Sequence, residues 1–186
     1  MIELLEKKLT VWEFQAMDFP DDDPFIYELI DGILMKKQAP SPAHQQVSSN
    51  LHFAIKSFLA HSNIGIVFYS PIDVFFDNYN NSQPDLIFIS KERDFIIDKK
   101  NGIMDAPDLI IEIISPSSVK IDRITKKALY EKFGVKEYWL VDPLNMSVEI
   151  YSLADNQYLL HQITQSGELL TSPVLKGFEL LIDNLF

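Results

Sequence analysis

The chain has no cysteine in its 186 residues. That excludes a disulfide framework, a thiolate metal site and a cysteine nucleophile. It suits a reducing compartment, and the expected location is the cytoplasm. Glycine is scarce, with Gly 6 in all. No Walker loop and no GxGxxG fingerprint is present, so a glycine-lined phosphate cradle is ruled out. The His 4 are scattered rather than clustered, which argues against a zinc site, and neither HExxH nor GxSxG occurs. Positive charge is also short. Lys+Arg 16 against Asp+Glu 27 gives a formal net charge of −11. A diffuse basic surface for nucleic acid is therefore excluded, and any phosphate-binding function must be local: a few lysines, a helix N-terminus or a metal. No apolar run approaches the roughly 18 residues of a membrane span. The opening stretch MIELLEKKLT carries acids and no apolar h-region, so it does not read as a signal peptide.

What is present is a globular composition, 47% hydrophobic and 23% charged, without repeats or low-complexity tracts. Residues 1–186 read as one domain. The cluster Asp21, Asp22, Asp23 before Pro24 reads as a solvated turn. Thr10 and Glu13 have capping-box spacing, predicting a short helix. Phe25 to Ile30 and Ile33 to Lys37 flank Asp31-Gly32, a dipeptide suited to a type I′ hairpin. Ser41-Pro42 marks a helix start. Val47, Leu51, Ile55 and Phe58 then line one helical face up to His61. Ile64 to Tyr69, Ile72 to Phe76 and Leu86 to Ser90 are strand-like, and the polar stretch 77–82 reads as a loop. Asp108 to Ile114 is a near-continuous apolar run, the pattern of a strand buried on both faces. A helix over Asp122 to Phe133 ends at Gly134, and a strand follows from Glu137 to Val141. Val148 to Ser152 and Tyr158 to Ile163 form a last antiparallel pair. The order predicts a mixed α+β fold, a central mixed sheet flanked by helices, with an added N-terminal hairpin and C-terminal strands.

Glu112 is the most informative residue. It lies inside Ile110-Ile111-Glu112-Ile113-Ile114, where a buried carboxylate costs several kcal/mol (order of magnitude) unless a partner or cation compensates it. It is either half of a buried salt bridge or a metal-binding or catalytic carboxylate. Asp85 follows Pro84 at the start of another buried strand. Alone it reads as a turn residue. If the two strands pair, the acids come close, repel, and favour an oxygen-loving divalent ion such as Mg²⁺ or Mn²⁺. Asp122, Lys126 and Tyr130 stand at i, i+4 and i+8 on one helix face. Lys126 there could orient water or stabilise phosphoryl charge, or simply pair with Asp122 on the surface. Glu28 shares a strand face with Ile26 and Ile30, pointing either into a site or off a sheet edge. His44 lies in the first turn of its helix, where the macrodipole disfavours His⁺. It either bonds a phosphate as the neutral ring or fills a packing gap. Asp73 is a weaker strand acid.

Taken in order, these residues resemble the Uma-type family of restriction-endonuclease-like proteins within the PD-(D/E)XK nuclease superfamily. The resemblance rests on Tyr27-Glu28-Leu29-Ile30-Asp31-Gly32, Pro42-Ala43-His44-Gln45, Ser70-Pro71, Gln83-Pro84-Asp85-Leu86 and Ala106-Pro107-Asp108-Leu109 through Glu112 to Ser115-Pro116-Ser117. It continues through Asp122-Arg123, Lys126, Tyr130 and Gly134-Val135 to Glu137-Tyr138-Trp139-Leu140-Val141-Asp142-Pro143. It implies a restriction-endonuclease-like fold and a Mg²⁺- or Mn²⁺-dependent nuclease site. Asp85 and Glu112 would be its metal ligands, Lys126 and Glu28 further catalytic groups, and His44, Tyr130 and Asp122 accessory. Ile114 stands where the superfamily carries its strand lysine, and the resemblance implies that Lys126 on the following helix takes that role.

The expected activity is hydrolysis of DNA phosphodiester bonds. The alternatives are an inactive module binding nucleic acid or protein, and a metal-dependent hydrolase of RNA or a small phosphoester. The superfamily weakly implies a homodimer. Lys91, Arg93, Lys99, Lys100, Lys120, Arg123, Lys126 and Lys127 concentrate basic charge mid-chain, as a rim for nucleic acid or as a solvated face.

Overall fold

Asp31 and Gly32 adopt φ of 50° and 75°, the paired positive values that a two-residue type I′ hairpin needs. This turn joins β1 (Phe25–Ile30) to β2 (Ile33–Gln38) and fixes their register, with Glu28 opposite Met35 and Ile26 opposite Lys37. Glu28 and Lys37 therefore stand on one face of the hairpin. The structure, a computed structural model, describes residues 8–20 and 22–186. Asp21 and the first seven residues of the amino-terminal stretch lie outside the described residues. Before the hairpin, helix α1 (Val11–Gln15) starts with a full capping box between Thr10 and Glu13.

After the hairpin, Ser41 caps α2 (Pro42–Ser62) by accepting from the His44 N–H, and Val47, Leu51, Ile55 and Leu59 form its buried stripe. Asn63, in the left-handed region at φ 51°, ends it. The chain continues through β3 (Gly65–Tyr69), β4 (Val74–Asp77), β5 (Asn80–Ser82) and β6 (Leu86–Ser90). The stretch expected as a loop over 77–82 thus contains a buried strand. Its polar side chains are bonded internally, with only Asn81 Oδ1 of this strand left without a partner. Asn80 Oδ1 accepts from the Asp31 N–H, and the Asn80 and Asn81 amides donate to Asp77 and Asp73.

A 3₁₀ segment (Lys91–Ile96) leads to the short β7 (Ile97–Asp98) and β8 (Gly102–Ile103), then to β9 (Leu109–Ile113). The next helix begins at residue 119, passes through a π-turn at Ile121–Lys126, and continues as α3 (Lys127–Lys132). Gly134, at φ 77°, closes it. The remainder is β10 (Glu137–Asp142), β11 (Ser147–Ala154), β12 (Gln157–Thr164), β13 (Leu169–Thr171) and β14 (Glu179–Leu181).

These strands form a mixed α+β architecture. One six-stranded sheet runs β12-β11-β10-β9-β6-β3, with β9 and β10 parallel and the other pairs antiparallel. A second runs β2-β1-β5-β4-β8-β7. β9 sits in the middle of the first sheet with every residue buried. Leu109, Ile111 and Ile113 pack toward α2, Trp139 and the C-terminal segment. Ile110 and Ile114 pack on the other side with Tyr130, Tyr138 and residues of the second sheet. Each buried aliphatic side chain contributes about 1.5–3 kcal/mol. Together they outweigh the cost of drawing Glu112, which shares the face of Ile110 and Ile114, into the layer between the two sheets. No helix among the described residues is long and apolar enough to cross a membrane.

Candidate functional site

Glu112 projects from β9 into a cluster assembled from both sheets, α2 and the helix after β9. Its Oε1 accepts from Lys126 Nζ at 2.8 Å and from the Tyr130 hydroxyl at 2.7 Å. Lys126 Nζ also donates to Glu28 Oε1 at 2.8 Å, and that oxygen accepts the Gln83 N–H at 2.7 Å. The hairpin, the turn before β6, the buried strand and the helix are thereby tied through a single ammonium. The π-turn helps to make this possible. The Lys127 N–H reaches the Asp122 carbonyl five residues back. An α-turn carries a residue four positions on somewhat past its predecessor, and the wider π-turn corrects that drift. Asp122, Lys126 and Tyr130 consequently all point the same way.

Asp85 sits beside Glu112 because β6 and β9 pair with Leu86 opposite Ile111. Its Oδ2 accepts from the Ile113 N–H at 2.7 Å and lies 3.1 Å from His44 Nε2. The two outward oxygens, Asp85 Oδ1 and Glu112 Oε2, face Lys37 Nζ at 3.4 and 3.6 Å. A cavity of about 260 Å³ opens over the cluster, lined by Phe25, Glu28, Lys37, Ser117, Asp122 and Lys126 among others.

The electrostatics separate the carboxylates. Burial alone would raise Asp85, but Lys37, His44 and the Ile113 N–H hold it down at about 2. Burial raises Glu112 to about 7, against the pull of Lys126 and Lys37. Burial also raises Asp122, against Lys126. Burial works to lower Lys126, yet Glu112 and Glu28 lift it well above its ordinary value. The lysines stay charged while the acids are divided into a firm anion and a carboxyl pushed up by burial. Three buried polar atoms here lack a hydrogen-bond partner: His44 Nδ1, Glu112 Oε2 and Asp122 Oδ1. Buried polar atoms are normally paired, and their concentration in one place marks where a ligand would complete the bonding.

Of the eight residues singled out from the sequence, seven meet here: Glu28, His44, Asp85, Glu112, Asp122, Lys126 and Tyr130. Lys126 is not in the solvent-facing position expected of a lysine that orients water. It is 1% exposed and holds two carboxylates. Nor does it form a surface pair with Asp122: both are buried, and its hydrogen bonds go to Glu28 and Glu112. Asp73 lies outside the cluster and accepts from Asn81 and Gln83 instead. The mid-chain basic residues are divided among separate neighbours. Arg93 pairs with Asp105 and Asp108, Arg123 with Glu149 and Asp142, and Lys127 covers the Tyr151 ring. Sequence reasoning missed Lys37, which only ends a strand-like run. The hairpin register was the available signal: a two-residue turn at 31–32 puts residue 37 diagonally across from Glu28.

Among the described residues, no group of three or more His, Asp or Glu side chains forms a metal cage. The donor set nevertheless fits a divalent ion of the Mg²⁺ type, which binds through one or two carboxylates and completes its shell with water and phosphate oxygens. The unpartnered Glu112 Oε2 and the outward Asp85 Oδ1 are the oxygens placed to hold it.

A model of the Uma2 family, described as "Putative restriction endonuclease", matches residues 11–183. No curated protein matches the sequence. Among solved structures, a crystal structure described as "a putative nuclease belonging to DUF820" from Anabaena variabilis superposes with a TM-score of 0.77 at 24% identity, over 96% of this chain and 97% of that one. The shared fold is the restriction-endonuclease-like arrangement described above.

Proposed function

The chain belongs to the Uma2 family, and from that premise we propose that it is a divalent-metal-dependent nuclease that hydrolyses phosphodiester bonds of DNA. The observation that carries this reading is the pairing of Asp85 Oδ1 and Glu112 Oε2, two outward carboxylate oxygens left without a hydrogen bond shorter than 3.4 Å.

A Mg²⁺ or Mn²⁺ ion bound there would supply Lewis-acid polarisation of a phosphate and a lowered pKa for bound water. The protein's own groups prepare the place. The Ile113 N–H and His44 fix Asp85 through Oδ2, and Lys37 foremost, with these two, keeps it anionic. Lys126 and Tyr130 fix Glu112 through Oε1, leaving its second oxygen directed at the site. Glu28 anchors Lys126 from the opposite sheet. Lys126 has three N–H donors, two of them committed, and its side chain borders the cavity where phosphate charge would develop. In this reading it replaces the strand lysine whose position Ile114 occupies.

One observation favours a second reading, a module that binds nucleic acid without cutting it: Lys126 is buried and engaged with two carboxylates. A single experiment separates the two. Supercoiled plasmid and labelled single- and double-stranded DNA and RNA are incubated with Mg²⁺, Mn²⁺ or EDTA. The nuclease reading expects metal-dependent DNA cleavage, absent in EDTA and lost by at least two orders of magnitude in D85A and E112Q. Cleavage by both variants at the wild-type rate, or binding in Mn²⁺ with no cleavage of any substrate, overturns it.

A further inference from the structure

The two lysines of the site are held very differently. Lys126 makes two hydrogen bonds of 2.8 Å and is 1% exposed. Lys37 stands 3.4 and 3.6 Å from its carboxylates and its side chain is 20% exposed. Charge-assisted N–H···O bonds normally close to about 2.7–2.9 Å, so the Lys37 ammonium is attracted to the pair without being locked to it. Its two neighbours, Asp85 Oδ1 and Glu112 Oε2, are the oxygens assigned above to a divalent ion. Mg²⁺–oxygen distances are about 2.0–2.1 Å. An ion bound to both oxygens and an ammonium facing both would compete for the same space and charge.

Lys37 has somewhere else to go. Its stem leaves an edge strand, since β2 ends its sheet. It borders the 260 Å³ cavity together with Asp122, whose Oδ1 is buried without a hydrogen-bond partner. It also lines a second opening of about 250 Å³ beside Ser41, His44 and Ser115. Charge balance points the same way. Among the described residues, the permanent cations paired with Glu28, Asp85 and Glu112 are Lys37 and Lys126, so full ionisation of these three acids and the neighbouring Asp122 leaves two negative charges that one divalent ion would neutralise.

We propose that Lys37 is the exchangeable cation of this site: its ammonium faces the two outward carboxylate oxygens in the metal-free protein and is displaced toward Asp122 when a divalent ion binds, so that it sets the metal affinity. This rests on the reading that Asp85 and Glu112 bind such an ion.

The test is Mn²⁺ titration by calorimetry of the full chain as wild type, K37M and K36M. Lys36 lies over the Phe25 ring, so K36M removes the same charge nearby without touching the carboxylate pair. K37M is expected to bind Mn²⁺ about tenfold more tightly than K36M, as removal of a close competing charge requires. Measurable binding with equal affinity in the two variants overturns the exchange and leaves the metal reading standing. No binding by any of the three at millimolar Mn²⁺ overturns both. A second measurement needs no substitution. Acetylation of Lys37 by an amine reagent, followed by peptide mass mapping, is expected to rise severalfold when the wild type is saturated with Mn²⁺, and an unchanged rate overturns the displacement.

Discussion

Glu112 is carried indoors by the aliphatic residues around it on β9, and its carboxyl responds by titrating at about 7 instead of 4.5. The consequence for stability has a definite sign. A group whose pKa is raised on folding contributes stability that is fully present below its unfolded value and lost as pH rises through its folded value. For Glu112 that window runs from about 4.5 to about 7. Asp85, held at about 2, behaves oppositely, with its contribution present above 3.8 and lost only as pH falls through about 2. In metal-free buffer, the stability of wild type relative to E112Q is therefore expected to fall by roughly 3 kcal/mol between pH 4.5 and 7.5. Urea denaturation of both proteins across that range measures it. A difference that stays constant with pH would mean that Glu112 is ionised throughout, with Lys126 and Lys37 outweighing burial.

Two local devices, the hairpin and the π-turn, set where the side chains arrive. At the hairpin, a Cβ on Gly32 would lie 2.6 Å from Lys8 Cβ and 3.1 Å from the Leu9 carbonyl, at a φ of 75° that side chains rarely adopt. G32A is expected to cost about 1–3 kcal/mol, read as a lowered urea midpoint at unchanged slope; an unaltered midpoint would show that the strands are registered by something other than this turn. The hairpin was legible because Asp-Gly between apolar runs has one good conformational solution. Glu112 was legible because an acid inside four isoleucines has few places to be. Other parts were not. Asn80–Ser82 reads as a loop because polar composition gives no hint that Asp31, Asp73 and Asp77 will satisfy it. The i, i+4, i+8 spacing already put Asp122, Lys126 and Tyr130 on one face, but the π-turn that carries it, with its Lys127 N–H bonded to the Asp122 carbonyl, inserts no residue type of its own and is invisible to a 3.6-residue pattern. Lys37 drew no attention because it only ends a strand-like run, and the three-dimensional approach of β2 to β9 is what gives it carboxylate neighbours.

At the scale of the whole molecule, a formal net charge of −11 opposes compaction by self-repulsion, and the carboxylate cluster concentrates part of that charge at one point. Cations should relieve it in two separable ways. Monovalent salt screens the diffuse part, with a Debye length of about 10 Å at 0.1 M. A divalent ion bound to the native state alone stabilises by mass action, about 2.7 kcal/mol at one hundred times its Kd. For a chain of this length that corresponds to a rise in Tm of roughly 5–10 °C. Thermal melts at matched ionic strength are expected to show this increment with MnCl₂ over NaCl in wild type. The double variant D85N/E112Q keeps the response to NaCl and loses the extra response to MnCl₂. An equal Mn²⁺ increment in wild type and double variant would place the stabilising ion elsewhere on the acidic surface and remove the physical basis for metal-assisted cleavage at Asp85 and Glu112.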